Sequence, residues 1–94
     1  MENDLMYKLS NGCYMRIYMV ESDPDCEYGY EYYDDSRALV DGGDFNTISE
    51  SPEPEEVLTE AMWWVDLDPT TISAELISED AGYFYLEDNG FTGW

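Results

Sequence analysis

Carboxylates are the residues of this chain best placed to do chemistry, because 23 of its 94 residues are Asp or Glu. General acid–base catalysis uses two carboxyl groups at a suitable separation. With so many carboxylates some pair meets that requirement by chance, so such a pair does not indicate an enzyme. Histidine, the commonest general base and metal ligand, is absent from the sequence. We therefore expect neither enzymatic activity nor a cofactor.

Two acidic segments are similar to fragments of calcium-binding loops, at residues 23–25 and 88–90. Neither continues into the Asp-x-Asp-x-Asp-Gly pattern with a terminal Glu that holds a bound ion. The sequence predicts weak, adventitious cation binding and no dedicated metal site.

The net charge is the strongest signal in the sequence. Only Lys8, Arg16 and Arg37 oppose the acids, which leaves a formal charge of −20. Self-repulsion on this scale destabilises a compact state, and solubility needs a net charge of only about 2–8. A basic, nucleic-acid-binding protein is the favoured partner, whereas direct binding to nucleic acid is disfavoured because the charge repels phosphates. The acidic surface could alternatively be merely solvated, or it could reflect adaptation to high salt.

The candidate partner-binding carboxylates fall into two groups. One group lies around a predicted hairpin tip and along its second strand, and the other shares one face of a predicted helix. Like charges at helical spacing cost a few tenths of a kcal/mol per pair, and no lysine compensates them on this helix. The first group is Asp23, Asp25, Glu27, Glu31, Asp34 and Asp35, and the second is Glu53, Glu56 and Glu60.

Trp63 and Trp64 are the candidate aromatic anchors of the same interface. At 100° per residue both lie off the apolar stripe of the helix and flank its glutamates. Exposed tryptophans often dominate the binding energy of an interface, although one of them could instead fold back onto the sheet edge. For the tyrosines of the predicted hairpin two interpretations also remain: they are buried in the core, or they are exposed to the partner. These residues are Tyr14, Tyr18, Tyr28, Tyr30 and Tyr32.

A hairpin is the first element that positions these residues. Residues 13–20 alternate in polarity and predict a strand, and residues 26–33 predict a second one after a turn at 21–25. Closing the turn places Val20 near Cys26 and Cys13 near Tyr33. The two cysteines then lie about 23 Å apart, and a disulfide needs Cα atoms within about 7 Å. We predict free thiols.

A short strand at residues 37–40 and a helix follow the hairpin. Residues 41–44 should break regular structure, because paired glycines accept unusual backbone angles. Ser51 suits the helix cap and Pro52 the first turn. The helix is expected to end at about Val65 or Asp66, ahead of Pro69. Its buried stripe is predicted to be Leu58, Ala61, Met62 and Val65.

The last third of the chain predicts a further hairpin. Residues 70–77 favour a strand over a short helix, residues 82–87 form its partner, and residues 88–90 form a turn. Phe91 and Trp94 are expected to attach the chain end to the body. These elements predict one domain, residues 1–94, with an α+β fold: an antiparallel sheet of four to five strands with one helix packed on one face.

Small, single-domain, strongly acidic proteins of this kind resemble the phage and mobile-element inhibitors of host defence, namely anti-CRISPR proteins and anti-restriction DNA mimics. Residues 28–43, followed by an acidic helix, also look like small domains of mobile-element proteins from gut bacteria, over residues 11–66. These resemblances imply a mobile-element origin and occupation of a nucleic-acid site. They supply no catalytic residues.

The function expected from these observations is non-enzymatic inhibition by nucleic-acid mimicry, directed at a CRISPR effector or a restriction enzyme. Spread evenly over about 5,600 Å², the acids are sparser than the phosphates of duplex DNA, so mimicry requires them to cluster on one face. The alternative is an acidic interaction module or accessory factor for a basic protein. We expect no signal peptide, because the first residues contain no basic region followed by an apolar run, and no membrane span, because no apolar run approaches about 20 residues. We expect a monomer in the cytoplasm of a bacterial host cell.

Overall fold

The computed structural model describes residues 4–21, 26–45 and 53–93, which form one antiparallel sheet of five strands with two short helices. The strand order across the sheet is β4-β3-β2-β1-β5. This confirms the predicted α+β class. In chain order the elements are β1 (Leu5–Leu9), β2 (Tyr14–Glu21), β3 (Cys26–Tyr33), β4 (Leu39–Phe45), α1 (Pro54–Trp64), β5 (Ala74–Ser78) and α2 (Tyr83–Asp88).

The predicted hairpin is present as β2 and β3, with a register one residue away from the expected one. Tyr14 pairs with Tyr33, and Glu21 pairs with Cys26. Cys13 is a free thiol, as predicted. Because Cys13 precedes β2 and Cys26 pairs with the last residue of β2, the two cysteines lie at opposite ends of the ladder.

One face of the sheet is covered by α1. Met15 and Ile17 of β2 are fully buried there together with Tyr28 and Tyr30 of β3. The amphipathic helix supplies Val57, Leu58, Ala61 and Met62 to the same cluster. The predicted strand alternation is therefore confirmed, and these tyrosines belong to the core rather than to a free surface.

The other face of the sheet is partly covered by α2 and the segment that follows it. Phe91 is the centre of this second cluster, since its ring lies edge-on to Tyr14 at 5.2 Å and to Tyr33 at 4.8 Å. Met6 and Leu86 are buried beside them. The expectation that Phe91 attaches the chain end to the body is thereby confirmed, while Trp94 lies outside the described residues.

The predicted break at residues 41–44 is wrong, because β4 continues through both glycines as an edge strand. A Cβ on Gly43 would lie 3.1 Å from the hydroxyl oxygen of Tyr30, and one on Gly42 would lie 3.2 Å from the carbonyl oxygen of Tyr30. Glycine is needed here for close packing against β3, rather than for unusual backbone angles. Phe45 ends β4, and residues 46–50 lie outside the described residues.

The bounds of α1 differ from the prediction at both ends. The helix begins at Pro54, the second of the two prolines, after Glu53 as N-cap; Ser51 and Pro52 lie outside the described residues. It ends at Trp64 in a Schellman motif. Asp66 has a φ of 61° and donates its N–H to the carbonyl of Trp63, while Leu67 donates to the carbonyl of Met62 at 2.9 Å. The helix therefore ends before Pro69 exerts any effect.

The prediction that residues 82–87 form a strand paired with residues 70–77 is also wrong, because Tyr83–Asp88 forms α2. Its end repeats the Schellman motif with Gly90 at the left-handed position, φ 80°. The N–H of Phe91 bonds to the carbonyl of Leu86 at 2.9 Å, and both side chains are buried in one cluster. The strand favoured over residues 70–77 is present as β5, which pairs with β1 instead.

The buried tyrosines predict a loss of stability at high pH. Burial, as the largest cause, raises the pKa of five phenols above the ordinary tyrosine value of 10.0, namely Tyr7, Tyr18, Tyr30, Tyr32 and Tyr33. The unfolded chain therefore loses these protons first, and the free energy of unfolding falls as pH rises above 10. Urea unfolding at about pH 8 and about pH 11 measures the effect. Equal free energies of unfolding at the two pH values would contradict this prediction.

Candidate acidic and aromatic interface

The exposed face of α1 brings together five of the residues proposed from the sequence. Because the opposite stripe is buried against the sheet, helical spacing directs Glu53, Glu56 and Glu60 to solvent, and all three are exposed. Trp63 is 59% exposed and Trp64 is 56% exposed. The alternative in which one tryptophan folds onto the sheet edge is not observed. We call this set of five residues the α1 face.

Glu60 is the residue that joins the two halves of the α1 face. Trp63 and Trp64 follow it by three and four residues, so their Cβ atoms lie about 5–6 Å from that of Glu60. The Schellman motif fixes both tryptophans in the last helical turn, since the carbonyls of Met62 and Trp63 accept its two bonds. A carboxylate and two large rings are thus presented side by side on a rigid backbone.

The acidic surface extends beyond the helix into the loop that follows. Asp66 and Asp68 are exposed, and the sequence contains no lysine or arginine after Arg37. Asp68 accepts bonds from the Thr70 hydroxyl at 2.7 Å and the Thr70 N–H at 2.9 Å. These bonds lower the pKa of Asp68. Asp68 therefore keeps its negative charge to a lower pH than an aspartate without these bonds.

Glu31 lies on the opposite face of the sheet and is neutralised there. Its carboxylate pairs with the guanidinium of Arg16 across the β2–β3 ladder, and its side chain is only 15% exposed. Arg16 also contacts Asp4 at 3.0 Å and donates to the carbonyl of Ala81 at 2.6 Å. The structure thus places Glu31 in an internal ion pair, away from the α1 face.

The remaining predicted residues are Asp34, Asp35, Glu27, Asp23 and Asp25. Asp34 closes the β3–β4 turn by accepting the N–H groups of Ser36 at 2.8 Å and Ala38 at 3.0 Å. Asp35 is exposed in the same turn. Glu27 belongs to β3, but its side chain is not among those described. Asp23 and Asp25 lie outside the described residues.

The three cations leave little positive charge on the described surface. Arg16 is held in the ion pairs given above. Arg37, at a φ of 66°, donates to the carbonyl of Asn89, and its guanidinium lies 5.4 Å from the ring centres of both Tyr14 and Phe91. Lys8 is exposed, with its ammonium 5.9 Å from the Tyr14 ring. No basic residue lies within α1 or the loop after it.

Sequence reasoning missed a second exposed aromatic pair on α2. Tyr83 is 60% exposed and Phe84 is 80% exposed, with ring centres 6.0 Å apart. The expected strand would have alternated these rings between two faces. The signal available in the sequence was Gly90, which suits the left-handed position after a helix.

Within residues 4–21, 26–45 and 53–93, the structure contains no cluster of three or more metal-ligating side chains. Over the same part of the chain, no helix is long and apolar enough to cross a membrane.

The fold and the surface together define a small α+β domain that presents an acidic, tryptophan-bearing helix on one side of its sheet. Comparison with protein-family models, curated proteins and solved structures finds no match to this chain.

Proposed function

We propose that this chain is a non-enzymatic inhibitor that mimics nucleic acid. It occupies the basic DNA-binding surface of a bacterial defence nuclease or CRISPR effector and blocks binding of target DNA. The observation that carries the proposal is the α1 face, where three exposed carboxylates and two exposed tryptophans share one side of a rigid helix. A groove that holds phosphates offers lysine and arginine to the carboxylates and aliphatic stems to the rings.

The unfavourable free energy of exposing the α1 face to water supports a binding role for it. Glu56 and Glu60 repel each other at helical spacing, and no cation relieves them on the helix. Each exposed tryptophan leaves apolar area in water. A surface that only needed solubility would gain from mixed charges and smaller side chains. A basic partner relieves both costs at once, because it neutralises the acids and covers the rings.

A competition assay tests the proposal. The protein is titrated into guide-loaded CRISPR effectors and restriction enzymes bound to labelled DNA, and release of the DNA is measured. Displacement from one effector supports mimicry and identifies the target. Co-migration with an effector that still holds its DNA would instead indicate an accessory factor. Failure to bind any member of the panel would contradict the proposed class of target.

Salt should act in opposite directions on binding and on stability. Raising salt from about 0.1 M to about 1 M shortens the Debye length from about 10 Å to about 3 Å. Screening weakens steering toward a basic groove, so affinity for the effector should fall. It also screens self-repulsion among the 20 excess negative charges, so the free energy of unfolding of the free protein should rise. Affinity that is indifferent to salt would contradict mimicry, and refolding only in molar salt would indicate adaptation to high salt.

A further inference from the structure

A shallow groove of about 380 Å³ lies between α2 and the segment that follows it. Tyr83 and Glu87 are four residues apart and form the helical wall, while Gly90, Thr92 and Gly93 form the other wall and Phe91 the buried floor. This groove is separate from the α1 face, since α1 and α2 pack with different core clusters on opposite sides of the sheet.

Hydrogen bonds hold the second wall in place. Thr92 accepts the N–H of Leu39 at 2.8 Å and donates its own N–H to the carbonyl of Arg37 at 2.9 Å. Gly93 has a φ of 108°, and a Cβ there would lie 2.8 Å from the Cβ of Leu39. The chain is therefore fixed against the start of β4, and the groove exists before any ligand enters.

The chemistry of the groove suits a cation with a flat, partly apolar surface. The Tyr83 ring offers a negative face, and the carboxylate of Glu87 is exposed one turn further along. Glu87 and Asp88 both occupy the last turn of α2, where the helix dipole disfavours acids, and no basic residue accompanies them there. The nearby Arg37 is engaged with the carbonyl of Asn89. The acids at this end of α2 therefore lack a cation of their own within the helix.

We infer that this groove receives an arginine side chain from a basic segment of the partner protein. The guanidinium stacks on Tyr83 and pairs with Glu87, and its aliphatic stem lies along Gly90 and Thr92. A planar guanidinium stacks on a ring and matches a carboxylate better than an ammonium does. This inference rests on the proposed function for the class of partner, and adds a docking point on the face of the sheet opposite α1.

The test uses acetyl-arginine amide as a monovalent probe, titrated into the full chain while the amide spectrum is recorded by NMR. Shifts should be confined to residues 83–93. Acetyl-citrulline amide, which is neutral and similar in shape, should cause none, and acetyl-lysine amide should bind more weakly. Tyr83→Ala and Glu87→Gln should each weaken association about three- to fivefold, the upper part of the range for an exposed cation–π contact or ion pair. Glu75→Gln removes the same charge from exposed β5 and should change association by less than about twofold.

Three results would overturn the inference. Shifts spread over the whole acidic surface would indicate non-specific attraction. Equal losses for Glu75→Gln and Glu87→Gln would show that net charge, and not the groove, binds the probe. Groove shifts that appear on concentrating the protein alone would indicate a second copy as the occupant. The assay contains no effector and no DNA, so its failure leaves nucleic-acid mimicry standing, and failure of the competition assay leaves arginine binding standing.

Discussion

Replacement of Arg16 by methionine is expected to lower the free energy of unfolding by about 3–5 kcal/mol. The guanidinium of Arg16 neutralises Glu31 in a site where the two side chains are only 13% and 15% exposed. Methionine preserves the aliphatic volume but leaves the carboxylate of Glu31 without its cation. Urea unfolding at neutral pH measures the change. For a domain of this size, such a loss is a large part of the total stability.

The loss should be partly recovered by removing the orphaned charge. The double variant Arg16→Met with Glu31→Leu is expected to be more stable than Arg16→Met alone, because an apolar pair replaces the ion pair at little net cost. Asp4 is 31% exposed on its side chain and can be solvated in that variant. If Arg16→Met lowers the free energy of unfolding by less than about 1 kcal/mol, the ion pair does not stabilise this face of the sheet.

Arg16 also connects β2 to the segment that leads into α2. It donates to the carbonyl of Ala81 at 2.6 Å, and its guanidinium lies 4.3 Å from the ring centre of Tyr18. The Tyr18 ring in turn covers Gly29, where a Cβ would lie 2.3 Å from the ring. Hydrogen exchange in α2 should therefore accelerate in Arg16→Met more than exchange in α1 does. Equal acceleration in both helices would indicate global unfolding only.

The pairing of Arg16 with Glu31 shows why part of the candidate site could not be predicted. Alternating polarity identified both strands of the hairpin, since that pattern depends only on neighbours along the chain. The register depends on how the turn closes, and a shift of one residue changes which side chains face each other. The expected register places Tyr30 opposite Arg16, whereas the structure places Glu31 there. A carboxylate assigned to the partner surface is thus an internal counter-ion.

Two further errors have a different cause, namely the absence of β1 from the prediction and the strand predicted in place of α2. β1 was not predicted because its five residues are apolar at nearly every position, with Met6 buried on one face and Leu5 and Tyr7 on the other. A strand buried on both faces loses its alternation. α2 has the aromatic composition of a strand, and local propensity was overridden by burial of Leu86 and Phe91 around the Gly90 motif.

The α1 face could be predicted because it depends on helical spacing alone. Once Leu58, Ala61 and Met62 face the core, the geometry of the helix directs Glu56 and Glu60 to solvent, whatever the register of the sheet. The C-terminal end of the helix could not be predicted exactly, because Asp66 takes the left-handed position that glycine more often fills. That detail matters to the proposed interface, since it keeps Trp63 and Trp64 in the last turn.

The double variant Trp63→Ala with Trp64→Ala is expected to weaken binding to the effector displaced in the competition assay by about 30-fold or more. Truncation of an interface hot spot costs 2 kcal/mol or more, which corresponds to about 30-fold in affinity. Both rings are more than half exposed in the free protein, so its free energy of unfolding should change by less than about 1 kcal/mol. Titration calorimetry and urea unfolding measure the two quantities separately.

Val40→Ala is the matched control, because Val40 is 56% exposed, as Trp64 is, but lies on the edge strand β4. This control should change the affinity for the effector by less than about twofold.

Glu56→Gln with Glu60→Gln should weaken binding at low salt and flatten its dependence on salt, because each lost carboxylate removes one screened attraction. The tryptophan variant should instead weaken binding at every salt concentration. If both variants bind as tightly as the parent, the acids of the α1 face are solvated surface, and the interface lies elsewhere on the molecule.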